Sequence, residues 1–321
     1  MNLRRRLLIQ GCAAFAAGVR LPLAFGQQQP LKIWVGFPPG GSGDTFARLI
    51  AEQLRIELGS PVIVENKEGA GGLIAGEQFL RTAPDGYSVI MHTASSAVFA
   101  PIIRKKPPYD PLKDYQWIAL LSVAPLLIVA DPALPVTNLK TFVDYMRANP
   151  NQPYGSAGIG ASTHLAAELF LDRAGVKALH VPFKGSAPAL TELMAGRITF
   201  MLETLQTTQA LSNAGKVKLL AVMGDSRLAA APDLPTAKEQ GVDVVASTYN
   251  LLAAHNNAPK DRIDVIARAL SNAMKKPDFQ KRLQSQGIDP VSDSNPEQAR
   301  AFVASEIARW TPVAKKLGIE M

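Results

Sequence analysis

Polar and apolar residues alternate over Leu31-Lys32-Ile33-Trp34-Val35-Gly36-Phe37, and after a Gly-rich break the apolar spacing widens to Phe46, Leu49, Ile50 and Leu54. A period of two giving way to one near 3.6 predicts a strand, a loop and a helix. The same succession returns, with a strand over Val62-Ile63-Val64, a helix from Leu73 to Leu80, and a strand from Tyr87 to Met91 after the turn Pro84-Asp85-Gly86. Apolar runs at 126–130, 179–183, 198–202 and 219–223 read as buried strands with helical stretches between most of them, and roughly the last seventy residues read as mostly helical. Strands alternating with helices predict an α/β fold. No fixed-period repeat, low-complexity tract or Ser/Gly linker divides the chain, so two lobes, the number its length suggests, should be interwoven rather than consecutive.

The first 26 residues follow different rules. Arg4, Arg5 and Arg6 precede an apolar run over 7–19, and Ala24-Phe25-Gly26 offers small residues for cleavage. This is the pattern of a signal peptide, and a run of that length falls short of the roughly 20 residues that span a bilayer. The mature protein is therefore expected in the periplasm, by the twin-arginine or the Sec route, cleaved near Gly26. The leader carries four Arg and no acid, so the formal charge of +7 falls to +3 on its removal. The high isoelectric point then says nothing about nucleic acid, and Arg104-Lys105-Lys106 reads as a solvated turn. Cys12, the single cysteine, leaves with the leader. Thiol nucleophiles, disulfides and cysteine metal sites are excluded from the mature chain.

Two Gly-rich segments carry the candidate chemistry. The first is Phe37-Pro38-Pro39-Gly40-Gly41-Ser42-Gly43-Asp44-Thr45, and the second runs from Tyr154 through Ser156-Ala157-Gly158-Ile159-Gly160-Ala161-Ser162-Thr163 into a helix. Glycines let a ligand approach backbone N–H groups, and a helix start offers unpaired donors and a positive dipole end, so an anion suits both loops. Either loop alone also reads as a tight turn with a Ser or Thr helix cap. A helix end stabilises an anion by only about 0.3–1 kcal/mol, whereas micromolar binding needs about 8 kcal/mol. Most of the affinity must come from hydrogen bonds to N–H and hydroxyl groups and from closing the site to water. His164 either faces a ligand from the first helical turn or packs against its helix. Asp44 shapes its loop more readily than it meets an anion, and Lys184 is a candidate ion partner beside Phe183. Neither loop contains a P-loop, Gly69-Ala70-Gly71-Gly72 lacks the third glycine of a dinucleotide fingerprint, and the four His show no metal-protease spacing. No cofactor or metal is implied.

In order along the chain, Gly40-Gly41-Ser42-Gly43-Asp44, Glu65-Asn66-Lys67-Glu68-Gly69-Ala70-Gly71-Gly72, Ala83-Pro84-Asp85-Gly86-Tyr87, Tyr109-Asp110-Pro111-Leu112-Lys113-Asp114, Ser156-Ala157-Gly158-Ile159-Gly160 with His164-Leu165, His180-Val181-Pro182-Phe183-Lys184-Gly185, and Pro235-Thr236 with Glu239-Gln240-Gly241 resemble the substrate-binding proteins of tripartite tricarboxylate transporters, the Bug or TctC family. The resemblance covers nearly the whole mature chain. It implies a periplasmic-binding-protein type II (Venus-flytrap) fold of two α/β lobes, lobe 1 from 27–124 and 249–321 and lobe 2 from 125–248. Two crossing strands would join them near 122–127 and 247–253. It also implies a monomer that holds a small carboxylate (a dicarboxylate, tricarboxylate, amino acid or aromatic acid) and passes it to a two-component membrane permease. The candidate ligand-binding residues are Phe37, Pro39, Gly40, Gly41, Ser42, Gly43 and Asp44 from the first loop, and Thr93, Ser95 and Ser96. The second loop adds Ser156, Ala157, Gly158, Gly160 and His164, and Phe183, Lys184 and Glu203 complete the set. Glu203 stands where many relatives have Asp, Ala161 where Ser is frequent, and the second crossing with its Ala-Pro end is altered, as Tyr249 to Pro259. Two other functions fit the same pocket: a ligand sensor for a signalling partner, and an enzyme acting on a carboxylate through Ser42, His164 and Glu203.

Overall fold

The computed structural model describes residues 29–321, and the expected leader over 1–26 lies outside the described residues. The opening alternation forms β1 (Leu31–Val35), with Leu31, Ile33 and Val35 buried, and the helical spacing forms α1 (Ser42–Leu58), which buries Phe46, Ile50 and Leu54. There follow β2 (Val62–Asn66), α2 (Leu73–Phe79), β3 (Ser88–Thr93), and a π-helical turn (Ser95–Phe99) that leads into α3 (Ala100–Ile102). The chain then runs through β4 (Tyr115–Pro125) into a second series: β5 (Leu127–Ala130), α4 (Leu139–Ala148), β6 (Gln152–Ser156), α5 (Ser162–Ala174), β7 (Ala178–Pro182), α6 (Ser186–Met194), β8 (Phe200–Glu203), α7 (Leu205–Asn213) and β9 (Lys218–Val222). It returns by β10 (Ser247–His255) and ends with α8 (Lys260–Met274), α9 (Pro277–Gln284), β11 (Asp289–Pro290) and α10 (Pro296–Lys316).

These strands make two mixed sheets, ordered β11-β4-β10-β3-β1-β2 and β7-β6-β8-β5-β9. Within each, the strands joined by helices run parallel, β1 beside β2 and β3, and β6 beside β7 and β8. Parallel neighbours need a crossover connection, and the helices supply it. The antiparallel pairs are β10 with β3 and β4, β5 with β8 and β9, and the short β11 with β4. The crossing between the sheets is narrow. Leu126 N–H donates to the Ala246 carbonyl at 3.0 Å, Met223 N–H donates to the Leu126 carbonyl at 2.8 Å, and Ala246 N–H donates to the Met223 carbonyl at 2.9 Å. β10 joins the first sheet from Ser247 onward, opposite Pro125, so the passage lies at 246–247 and the rest of the expected second crossing is ordinary sheet.

Sequence and structure differ locally for physical reasons. β4 is buried on both faces along most of its length, which removes the alternation by which a half-buried strand is recognised. β6 occupies what reads as the start of the second Gly loop, because Pro153 and Gly155 interrupt its strand signal. β3 and β8 each extend beyond the expected stretch, ending at Thr93 and Glu203 and so carrying those side chains to the cleft. Among the described residues no helix is long and apolar enough to cross a membrane.

Candidate functional site

Three helices begin at the space between the sheets. α1 starts after Gly41, α5 after Ala161 and α6 after Gly185, and none of these three N-cap residues caps its helix with its own side chain. The first N–H groups of such helices have no partner within the helix and carry its positive dipole end. They meet a small cavity between the lobes. The first-sheet lobe contributes Phe37, Gly41, Ser42, Gly43, Thr93, Ser95 and Thr248 to its wall, and the second contributes Ala157, Ser162, Thr163, Ser186 and Glu203, with Leu126 at the crossing. Among the described lining residues none is Lys, Arg or His, and Glu203 is the one ionisable side chain.

The lobes touch directly at this cavity. Ser162 N–H donates to Ser95 Oγ at 2.9 Å, and the two hydroxyl oxygens lie 3.4 Å apart. Close approach elsewhere depends on glycine. Gly160 has φ 79°, and a Cβ there would sit 2.7 Å from Ile103 Cδ1 and 3.1 Å from Ala100 Cα in the opposite lobe. Gly185 has φ 136°, and its Cβ would lie 2.6 Å from Pro38 Cδ. These two glycines thus serve contact between lobes rather than contact with a ligand.

Two buried polar atoms in the wall lack hydrogen-bond partners, Thr93 Oγ1 and Glu203 Oε2. Glu203 Oε1 accepts from Thr204 N–H at 2.8 Å and from Thr204 Oγ1 at 3.2 Å. Burial pushes the Glu203 carboxyl above its ordinary range, against the opposing pull of Ser186, Thr204 and Thr207.

Eight of the expected residues line the cavity: Phe37, Gly41, Ser42, Gly43, Thr93, Ser95, Ala157 and Glu203. The others do not. Pro39 and Gly40 are exposed at the tip of their loop. The Asp44 carboxylate is turned away from the cavity: it accepts from Gly40 N–H at 3.0 Å, Arg48 Nε at 3.0 Å and Asn66 Nδ2 at 2.8 Å, so it braces the loop. Burial raises its pKa, but these donors outweigh burial and leave it lowered. Ser96 Oγ meets His92 Nδ1 at 3.0 Å. Ser156 Oγ meets His180 Nε2 at 2.6 Å and accepts from Gly158 N–H.

His164 stacks on His180 with ring centroids 3.9 Å apart and accepts from Gly160 N–H at 3.3 Å. It is buried and its pKa is pushed down to about 3, by burial first and by His180 second. His164 is thus packed against His180 and does not line the cavity that Ser42 and Glu203 share. Gly158, Phe183 and Lys184 line a separate, more open cleft with Arg104, which Phe37 and Ala157 also border. Sequence reasoning left Leu126, Ser162, Thr163, Ser186 and Thr248 out of the set. Ser162, Thr163 and Ser186 open helices after Gly loops, a signal present in the sequence. Leu126 and Thr248 reach the cavity through the crossing, for which no local signal exists.

The family model described as "Tripartite tricarboxylate transporter family receptor" matches residues 46–319. Protein BugT of Bordetella pertussis is 31% identical over 327 aligned positions, covering 100% of both chains. The solved structure of the periplasmic binding protein BugD has 34% identity and a TM-score of 0.88, covering 91% of this chain and 99% of that one. That of R. palustris Rpa4515 with adipate has 30% identity and a TM-score of 0.87, covering 91% and 98%.

Proposed function

Because the chain belongs to the tripartite tricarboxylate transporter receptor family of periplasmic solute-binding proteins, we propose that it captures a small carboxylate between its lobes and delivers it to a two-component membrane permease. The observation that carries this reading is the convergence of three helix N-termini, none capped by its own N-cap side chain, on one interlobe cavity without a lining cation. Such a site favours an anion small enough to be enclosed, held by N–H and hydroxyl donors rather than by an ion pair. Rpa4515, which shares the fold, carries the dicarboxylate adipate. Residues 1–26 act as the export leader, and the mature protein works in the periplasm. The lobes open about Leu126 and Ala246, the narrowest connection between the sheets.

The test is thermal denaturation of the mature protein against succinate, adipate, malate, citrate and glutamate, with mass spectrometry of small molecules released from the purified protein. A true ligand at about 100 times its dissociation constant adds about 2.7 kcal/mol, which raises the midpoint by several degrees. Stabilisation only by neutral or cationic solutes would overturn the carboxylate assignment. Delivery is tested by reconstituting uptake with the permease, which should require this protein.

A further inference from the structure

Glu203 ends β8 with its side chain completely buried, yet it lines the cavity onto which the three helices open. Its two oxygens have unlike surroundings. Oε1 already accepts two hydrogen bonds from Thr204, whereas Oε2 has no partner. The hydroxyls of Ser186 and Thr207 lie near the carboxyl without reaching hydrogen-bond geometry to Oε2. A buried carboxylate without a counter-charge is strongly disfavoured, and it would also repel an anionic ligand. A carboxylic acid with its proton on Oε2 meets both difficulties, since Oε1 is then the accepting carbonyl oxygen and Oε2 an unused donor on a residue that lines the cavity.

No other ionisable group of the surrounding elements lines this cavity. On α1, Asp44 is bound by Arg48 and Asn66. His92 on β3 is held by Ser96 and packed among Tyr109, Tyr115 and Trp117. His164 on α5 stacks on His180 of β7, and Tyr154 on β6 donates to Glu168. Glu192 on α6 pairs with Arg197, Tyr249 on β10 packs edge-on against Phe302, and Lys184 is exposed. β5 and α7 carry no ionisable side chain.

Building on the carboxylate-binding reading, we propose that Glu203 is protonated in the closed protein and donates a hydrogen bond from Oε2 to a ligand carboxylate, so that capture takes up a proton. In the open protein water solvates the Glu203 carboxylate, and closure replaces that water with the ligand. The proton remains on Glu203, so the residue sets specificity: it favours a second carboxylate at this position over a hydroxyl-free neutral or apolar group.

The test is titration calorimetry with succinate, adipate and malate at about pH 7 and about pH 8, where these probes are essentially fully ionised, in pairs of buffers that differ in protonation enthalpy. Wild type should take up as much as about one proton per ligand and lose up to about tenfold in affinity per pH unit. Glu203→Gln, which keeps a donor of similar shape, should bind with pH-independent affinity and no proton uptake. A carboxylic C=O infrared band in the wild-type complex should be absent from the variant. Binding without proton uptake by wild type, or affinity that rises with pH, would overturn this inference while leaving carboxylate capture intact. Because the two-buffer measurement uses wild type, a poorly folded variant does not decide the matter. Failure of every carboxylate to bind would overturn the functional reading and this inference together.

Discussion

Replacing Ser95 with alanine removes a hydrogen bond that links the lobes. Ser95 Oγ accepts Ser162 N–H at 2.9 Å, and both residues are nearly inaccessible, at 2% and 5% exposure. In the open protein water can satisfy the Ser162 N–H, so the Ser95→Ala change is felt on closing. A buried donor left without a partner costs about 1–3 kcal/mol. If closure is coupled to ligand binding, that cost appears as roughly a 5- to 150-fold loss of affinity. The assay is calorimetric titration of wild type and Ser95→Ala with a bound dicarboxylate, alongside thermal denaturation of each protein without ligand. The expected result is weakened binding with a smaller change in ligand-free stability. Ser162→Ala keeps the backbone N–H, so adding Ser95→Ala to it should still weaken binding, which separates the N–H contact from the hydroxyl pair. Unchanged affinity, or a loss of ligand-free stability as large as the loss in binding, would refute the assignment of this contact to closure.

Gly160→Ala should lower stability by about 1–2 kcal/mol in chemical denaturation because of its positive φ. It should also weaken ligand binding, because the added Cβ meets Ile103 and Ala100 of the facing lobe. Asp44→Asn removes the charge that Arg48, Gly40 and Asn66 stabilise. An expected stability loss of about 1.5–3 kcal/mol at neutral pH should shrink as pH falls through the lowered pKa of Asp44, where wild type loses the same advantage. Burial pushes His92 down to about 3, so at moderately acid pH it is protonated only when the chain unfolds. Its contribution is therefore complete above about pH 6.5 and falls by about 1.4 kcal/mol per pH unit toward pH 3. His164 acts in the same sense. A pH series of thermal denaturation should show this acid limb, and His92→Gln should reduce its slope by about one proton.

The α/β class, the order of most strands and both Gly-rich helix starts were legible in the sequence, because each is encoded within a few consecutive residues. The alternation in β1 and the helical spacing in α1 are such local patterns, as is the Gly-Ser-Gly-Asp start of that helix. The sequence also offered Ser162, Thr163 and Ser186 at helix starts, although only the structure set them beside Ser42 and Glu203 in one wall. The long β4 was harder to read because burial on both faces erased its period. Which side of each loop meets a ligand was encoded locally only in part. The loop-shaping role of Asp44 was readable from its place in a first helical turn, and three donors hold it there, whereas His164 stood open between pocket and packing, a choice in which a facing imidazole is visible only in the fold. Gly160 looks like a ligand-contact glycine and instead lets the lobes meet, as Gly185 also does. The sequence thus determined the two helix starts that suit an anion. Tertiary structure decided which donors face the cavity and left one oxygen of Glu203 without a partner, because hydrogen bonds and close contacts between distant segments exist only once the lobes are packed.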